Sequence, residues 1–140
     1  MYTCIIDDKI DRELTQNLVL SGVSLGKSVV IVTPEEINFN KKISTANCII
    51  LIGVRAFEYS QMRDILHECY ERRCPYISIE LDNDKLKHAY CDYSFFKRAN
   101  AVIFTDEKIK KLFIKQGISG IFCIDEYDIW KTIDENIEGT

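Results

Sequence analysis

Proline and glycine are scarce in this chain of 140 residues, which has two of the first and six of the second. So few breakers exclude collagen-like, low-complexity and linker-rich organisation and leave room for regular elements. Histidine is equally rare, with two residues, and none of the six cysteines forms a CxxC pair. The usual paired spacing of a structural zinc site is therefore missing. No apolar run approaches the roughly 20 residues of a membrane span. The opening MYTCIIDDKI meets acid at once and lacks the basic n-region of a signal peptide, so a cytoplasmic location is expected. An excess of cations is missing as well: 18 Lys and Arg face 22 Asp and Glu. A general nucleic-acid binder would be basic, and no nucleic-acid partner is expected.

The common nucleotide motifs are absent. SGVSLGKS, Ser21–Ser28, comes nearest to a phosphate-binding P-loop. The place of its first glycine is taken by Ser21, and Gly22 stands one position too close. A P-loop also follows a strand and opens a helix. Here Leu14, Leu18, Gly22 and Leu25 run into the stretch at helical spacing, and the β-branched Val29–Val32 follows. Gly26 then ends a helix, with Lys27 near the negative end of its dipole. After the first apolar run stands Asp7-Asp8-Lys9 instead of GxGxxG, so the backbone has no close approach to a pyrophosphate. No GxSxG occurs, and His67 and Cys69 are two apart on a helical segment, where they do not face each other.

Cys4, Cys48 and Cys123 lie inside apolar runs, where cysteine behaves as a small hydrophobe. His67, Cys69, Cys74, His88 and Cys91 form the nearest thing to a ligand set, with spacings that match no common metal site. Reduced thiols, no metal and no cofactor are expected.

Six short apolar runs are present: Tyr2–Ile6, Val29–Thr33, Cys48–Ile52, Tyr76–Leu81, Ala101–Thr105 and Ile121–Ile124. They are nearly continuous, as strands buried on both faces of a parallel sheet are. Helical patterns separate most of them, over Asp11–Leu25, around Phe57–Arg73, over Leu86–Arg98 and over Asp106–Gln116. Glu35–Ser44 is short and polar and predicts a loop or a single helical turn. This alternation predicts one doubly wound, Rossmann-like α/β domain over 1–140, with a mostly parallel sheet of about six strands.

Ligands of such sheets collect outside the carboxyl ends of the strands. The candidate ligand-binding residues there are Asp7, Asp8, Gly53, Arg55, Glu58, Asp82, Thr105 and Glu126. The edge is acidic, and Arg55 is its main cation, placed to meet an anionic ligand group. Asp7-Asp8 resembles the acidic pair of a response-regulator receiver domain. The phospho-accepting Asp and the Lys of that family are missing at Gly53 and Thr105-Asp106, which excludes an active receiver. Glu58 follows the third run, a region where enzymes acting on N-glycosidic bonds often place a glutamate. The lysines at 108, 110, 111 and 115 share one helix with Ile109, Leu112 and Phe113, and read as its solvated face.

One stretch carries a family resemblance. Phe96-Lys97-Arg98-Ala99-Asn100-Ala101-Val102-Ile103-Phe104-Thr105-Asp106-Glu107, followed by Ile109, Leu112 and Gly117-Ile118, resembles the last helix–strand–helix of the acceptor domain of GT-B glycosyltransferases. Glu13-Leu14, Leu18 and Gly26–Thr33 are similar to that domain's first helix and second strand. The order of the pieces agrees over most of the chain. Two departures stand out: Asp7-Asp8-Lys9 replaces the glycine-rich loop that such enzymes often carry, and the donor-binding second domain is absent. The tail DEYDIWKTIDENIEGT falls about where an interdomain linker would start. The resemblance implies an acceptor-half domain that binds a glycan acceptor or pairs with a donor-binding protein subunit in glycoconjugate synthesis, without transferring sugar alone. A single-domain enzyme at a nucleoside N-glycosidic bond, using Glu58 or Asp7, is the first alternative. The second is a non-catalytic interaction or homo-oligomerisation module using the aromatic stripe of Leu86–Arg98.

Overall fold

The computed structural model describes residues 2–7, 10–56, 59–82 and 94–137, with the backbone alone at 7, 56 and 59. Five apolar runs become strands near their expected bounds: β1 Thr3–Asp7, β2 Val29–Val32, β3 Cys48–Ile52, β4 Tyr76–Glu80 and β5 Ala101–Phe104. The sixth shortens to β6 Ile121–Phe122. The helices are α1 Arg12–Ser24, α2 Phe39–Ser44, α3 Tyr59–Arg72, α4 Ser94–Lys97, α5 Glu107–Lys115 and α6 Glu126–Ile137. Two starts are capped by aspartates. The Asp11 carboxylate accepts from the Leu14 amide at 3.0 Å, and that of Asp106 from the Lys108 and Ile109 amides.

All strand pairings are parallel, in the order β2-β1-β3-β4-β5-β6. The winding reverses between β1 and β3, the switch point of a doubly wound sheet. One strand lies beyond β1, where dinucleotide-binding folds have two. Strand side chains alternate between two cores. Cys4, Ile6, Ile49 and Leu51 pack with α2, α3, α4 and α5, while Ile5, Ile50, Ile52 and Ile103 pack with α1 and α6. Each such isoleucine or leucine taken from water contributes about 1.5–3 kcal/mol.

α6 corrects the expectation of a linker. Ile129, Trp130 and Ile133 recur at helical spacing and are buried under the sheet beside α1. Trp130 explains the small residues of SGVSLGKS. Its indole N–H donates to the Leu18 carbonyl at 2.9 Å and to the Ser21 hydroxyl at 3.1 Å. A Cβ on Gly22 would stand 2.7 Å from its ring. Lys27 pairs with Asp134 of α6 at 2.6 Å and lies over the Trp130 ring. The stretch thus ends a helix and seats a tryptophan, and presents no helix N-terminus to a phosphate.

Three helices end alike. In α1, the Lys27 amide bonds the Gly22 carbonyl and the Gly26 amide that of Val23; α5 repeats this with Ile118 to Phe113 and Gly117 to Ile114. In α3 the bonds run from Cys74 to Cys69 and from Arg73 to Tyr70. This is the Schellman closure, whose pivot residue is left-handed. Gly26 and Gly117 serve as pivots in the first two, and Arg73 serves in the third.

Candidate functional site

The carboxyl edge is assembled from the strand ends. Gly53 follows β3 with φ of +65°, and Ile10 packs where its Cβ would be. A glycine is needed there to turn the chain into the short 3-10 turn Val54–Ala56. That turn delivers Arg55 inward. Arg55 is 6% exposed, and its Nε donates to Glu80 Oε1 at 2.9 Å. Its Nη2 donates to the Leu81 carbonyl at 3.1 Å, and the guanidinium lies 5.5 Å over the Phe113 ring. The other Glu80 oxygen accepts from the Val54 amide at 3.0 Å. The cation expected to meet a ligand is instead joined to a fully buried carboxyl at the end of β4. The reason is cost: a charged glutamate with no water needs a partner within reach. Burial pushes the Glu80 carboxyl up to about 7, against the pull of the Arg55 guanidinium and the Val54 amide.

The sheet divides this edge in two. The Arg55–Glu80 pair belongs to the side of α5, whose Phe113 it touches. On the side of α1 and α6 lies a cleft of about 210 Å3, lined by Asp11, Glu13, Asn17, Thr105, Ile124 and Glu126 with Leu14 and Ile129. Thr105 and Glu126, both anticipated from the sequence, meet here. The Thr105 amide is anchored to the Glu80 carbonyl at 3.1 Å. Asp82 is exposed after β4 and does not line the cleft. Asp7 ends β1 in register with Ile52, and its side chain lies outside the described residues, as do Asp8 and Glu58 entirely.

Asp11, Glu13 and Asn17 were not among the expected site residues. They enter because α1 and α6 share a face of the sheet, so the start of α1 stands beside the end of β5. The helical pattern from Asp11 located that helix start, but nothing local showed which strand end it would join.

Chemically, the cleft offers three carboxylates and an amide over an apolar floor, with no cation among its described lining residues. The acids sit at or in the first turns of α1 and α6, where the helix dipole favours them. Carboxylates accept hydrogen bonds from ligand hydroxyls and repel phosphate. His88 and Cys91, two of the five candidate metal ligands, lie outside the described residues, and the remaining described acids, thiols and histidine form no metal-holding group. Comparison with known proteins gives no matching family model, no matching curated protein and no matching solved structure. Among the described residues, no helix is long and apolar enough to cross a membrane.

Proposed function

We propose that this chain is a Rossmann-like domain of the GT-B acceptor-half type, which binds a neutral, hydroxyl-rich glycan acceptor in the acidic cleft at the carboxyl edge. The carrying observation is the lining of that cleft among the described residues: Asp11, Glu13 and Glu126 with Asn17 and Thr105, and no cation. Arg55, the main cation foreseen at this edge, is already bound to Glu80. A nucleotide sugar brings a diphosphate, which such a cleft disfavours. A glycan brings hydroxyls, which carboxylates accept well. The donor would then come with a partner protein, and the chain alone would transfer no sugar.

The test is titration calorimetry of the chain with neutral oligosaccharides, nucleotide sugars and nucleosides. Binding of an oligosaccharide, weakened at least about tenfold by Glu126→Gln or Asn17→Ala, supports the reading, since losing a hydrogen bond to a charged group costs about 1.5–3 kcal/mol. Selective binding of nucleosides would move the function to N-glycosidic chemistry. Binding of nucleotide sugars unaffected by these variants would overturn the proposal.

A further inference from the structure

We infer that the outer edge of β2 is the contact face of a symmetric dimer, in which a second copy of this chain adds its own β2 antiparallel to the first. β2 ends the sheet on one side, and among the described residues no strand covers it. The opposite edge is blunted by its length, since β6 has two residues. β2 has four, Val29–Val32, all β-branched. Neither a charge nor a proline interrupts them, the usual devices by which a protein protects an edge.

The first argument is the direction of the backbone. The Thr3 amide bonds the Ser28 carbonyl at 2.9 Å, so that carbonyl points at β1. Backbone groups alternate along a strand, so the amides and carbonyls of Val29, Ile31 and Thr33 point away from β1. The Thr33 carbonyl accepts from the Glu36 amide at 3.1 Å. A donor and an acceptor then remain at Val29 and at Ile31, with a donor at Thr33. An antiparallel copy centred on Ile31 matches that row. The two Ile31 residues exchange both of their bonds, and each Thr33 amide donates to the Val29 carbonyl of the other copy. A two-fold centred between Val30 and Ile31 would instead set outward groups against inward ones and form no ladder.

The second argument is the side chains. Ile31 is in register with Ile5, so it faces the layer of α1 and α6. It is 40% exposed there. α1 packs on β2, and its Ser21 and Ser24 meet Trp130 and Tyr127 of α6. Val19 and Val23 therefore lie on the flank of α1 turned from α6, toward β2, and Val23 is 59% exposed. The pairing sets Ile31 against Ile31 and brings two such flanks together above them. β-branched pairs directly opposite each other stabilise an antiparallel ladder.

The third argument is self-complementarity, which selects a second copy over a foreign strand. An isologous contact must match itself under a two-fold. In this register Lys27 stands at the end of the ladder that faces Glu35 of the second copy, and the reverse holds at the other end. Glu35 is exposed and belongs to none of the three ion pairs among the described residues. Unlike charges therefore close both ends, whereas a parallel pairing would set like charges together. The contact is small beside an obligate interface, which makes the dimer reversible. The acidic cleft lies on the α6 side of α1, so the dimer does not depend on the glycan reading.

Sedimentation velocity of the full chain, from micromolar to millimolar concentration, should show a monomer–dimer equilibrium. Ile31→Lys should raise its dissociation constant at least about tenfold, because like charges would meet in an apolar contact. Circular dichroism should report a folded variant, as the exposed position implies, and Lys111→Ala should dimerise like the parent. Cross-linking reads the register. The Cα atoms of a hydrogen-bonded antiparallel pair lie about 5.5 Å apart, which a disulfide spans. Ile31→Cys should therefore give a covalent dimer in air, and the parent and Lys111→Cys should not. A chain that stays monomeric throughout would overturn the proposal. So would a parental dissociation constant in folded Ile31→Lys, or cross-linking of Lys111→Cys as fast as that of Ile31→Cys. Should Ile31→Lys lose its fold, the cross-linking result decides.

Discussion

Arg55→Ala tests the assignment of Arg55 to the fold. Glu80 is fully buried and takes one hydrogen bond from Arg55 and one from the Val54 amide. Truncation at Arg55 removes the guanidinium, its bond to the Leu81 carbonyl and its contact with Phe113. Breaking a buried pair by deleting one partner costs about 3–5 kcal/mol, because the remaining charge is left without compensation. Urea unfolding at pH 8 should read that loss as a lower midpoint. The pH dependence supplies a second check. Glu80 titrates near 7 in the folded protein against an ordinary value of 4.5. The folded state therefore binds its proton more tightly than the unfolded chain. The associated stability is fully present below about 4.5 and is lost as pH rises toward 7. Without Arg55 the folded value climbs further, so the window of loss extends upward, and the deficit of the variant should be larger at pH 8 than at pH 5. Arg55→Met with Glu80→Gln should recover much of the stability, since glutamine still accepts from Val54 and no charge is stranded. A loss under about 1 kcal/mol, or an equal loss at both pH values, would refute the assignment of Arg55 to the fold.

Gly120→Ala should destabilise more than Gly22→Ala in the same assay. A Cβ at 120 would overlap the Phe104 ring and meet the Val102 carbonyl at 2.6 Å, whereas one at 22 meets chiefly the Trp130 ring at 2.7 Å. Overpacking of the second kind costs about 1–3 kcal/mol, and the reverse order would contradict the packing described. Ser78 is fully buried in β4, and its hydroxyl has no partner among the described residues. Ser78→Ala should therefore be neutral or stabilising by about 1 kcal/mol, and a clear drop in Tm would reveal a missed partner. Burial pushes the thiols of Cys4, Cys48 and Cys69 up to about 12, so alkylation of the native protein at pH 8 should reach the half-buried Cys74 before these three, as mass spectrometry would read. Lys27→Ala loses a partly exposed pair and should cost about 0.5–1 kcal/mol without changing nucleotide affinity.

The strands were legible because burial on both faces leaves no polar alternation, so β-branched runs mark them directly. The pivot at Gly26 was legible for a similarly local reason: it is set by backbone geometry within one turn. α6 was not recognised because its charged residues, from Glu126 to Glu135, mask an apolar stripe that gains meaning only against α1. Thr105 and Glu126 were foreseen at the ligand edge, but their companions Asp11, Glu13 and Asn17 were not, since strand order and helix face decide which loops meet. Arg55 was foreseen as a ligand-facing cation, because sequence gives its place after β3 and not the direction of its side chain. The chain by itself marked the six strands and the helices α1, α3 and α5, through propensity and periodicity. Tertiary structure alone decided that Arg55 pairs with Glu80 and that α1 and α6 flank one cleft. Those are pairings between residues far apart in the chain, fixed by the winding of the sheet and by the cost of burying a charge alone.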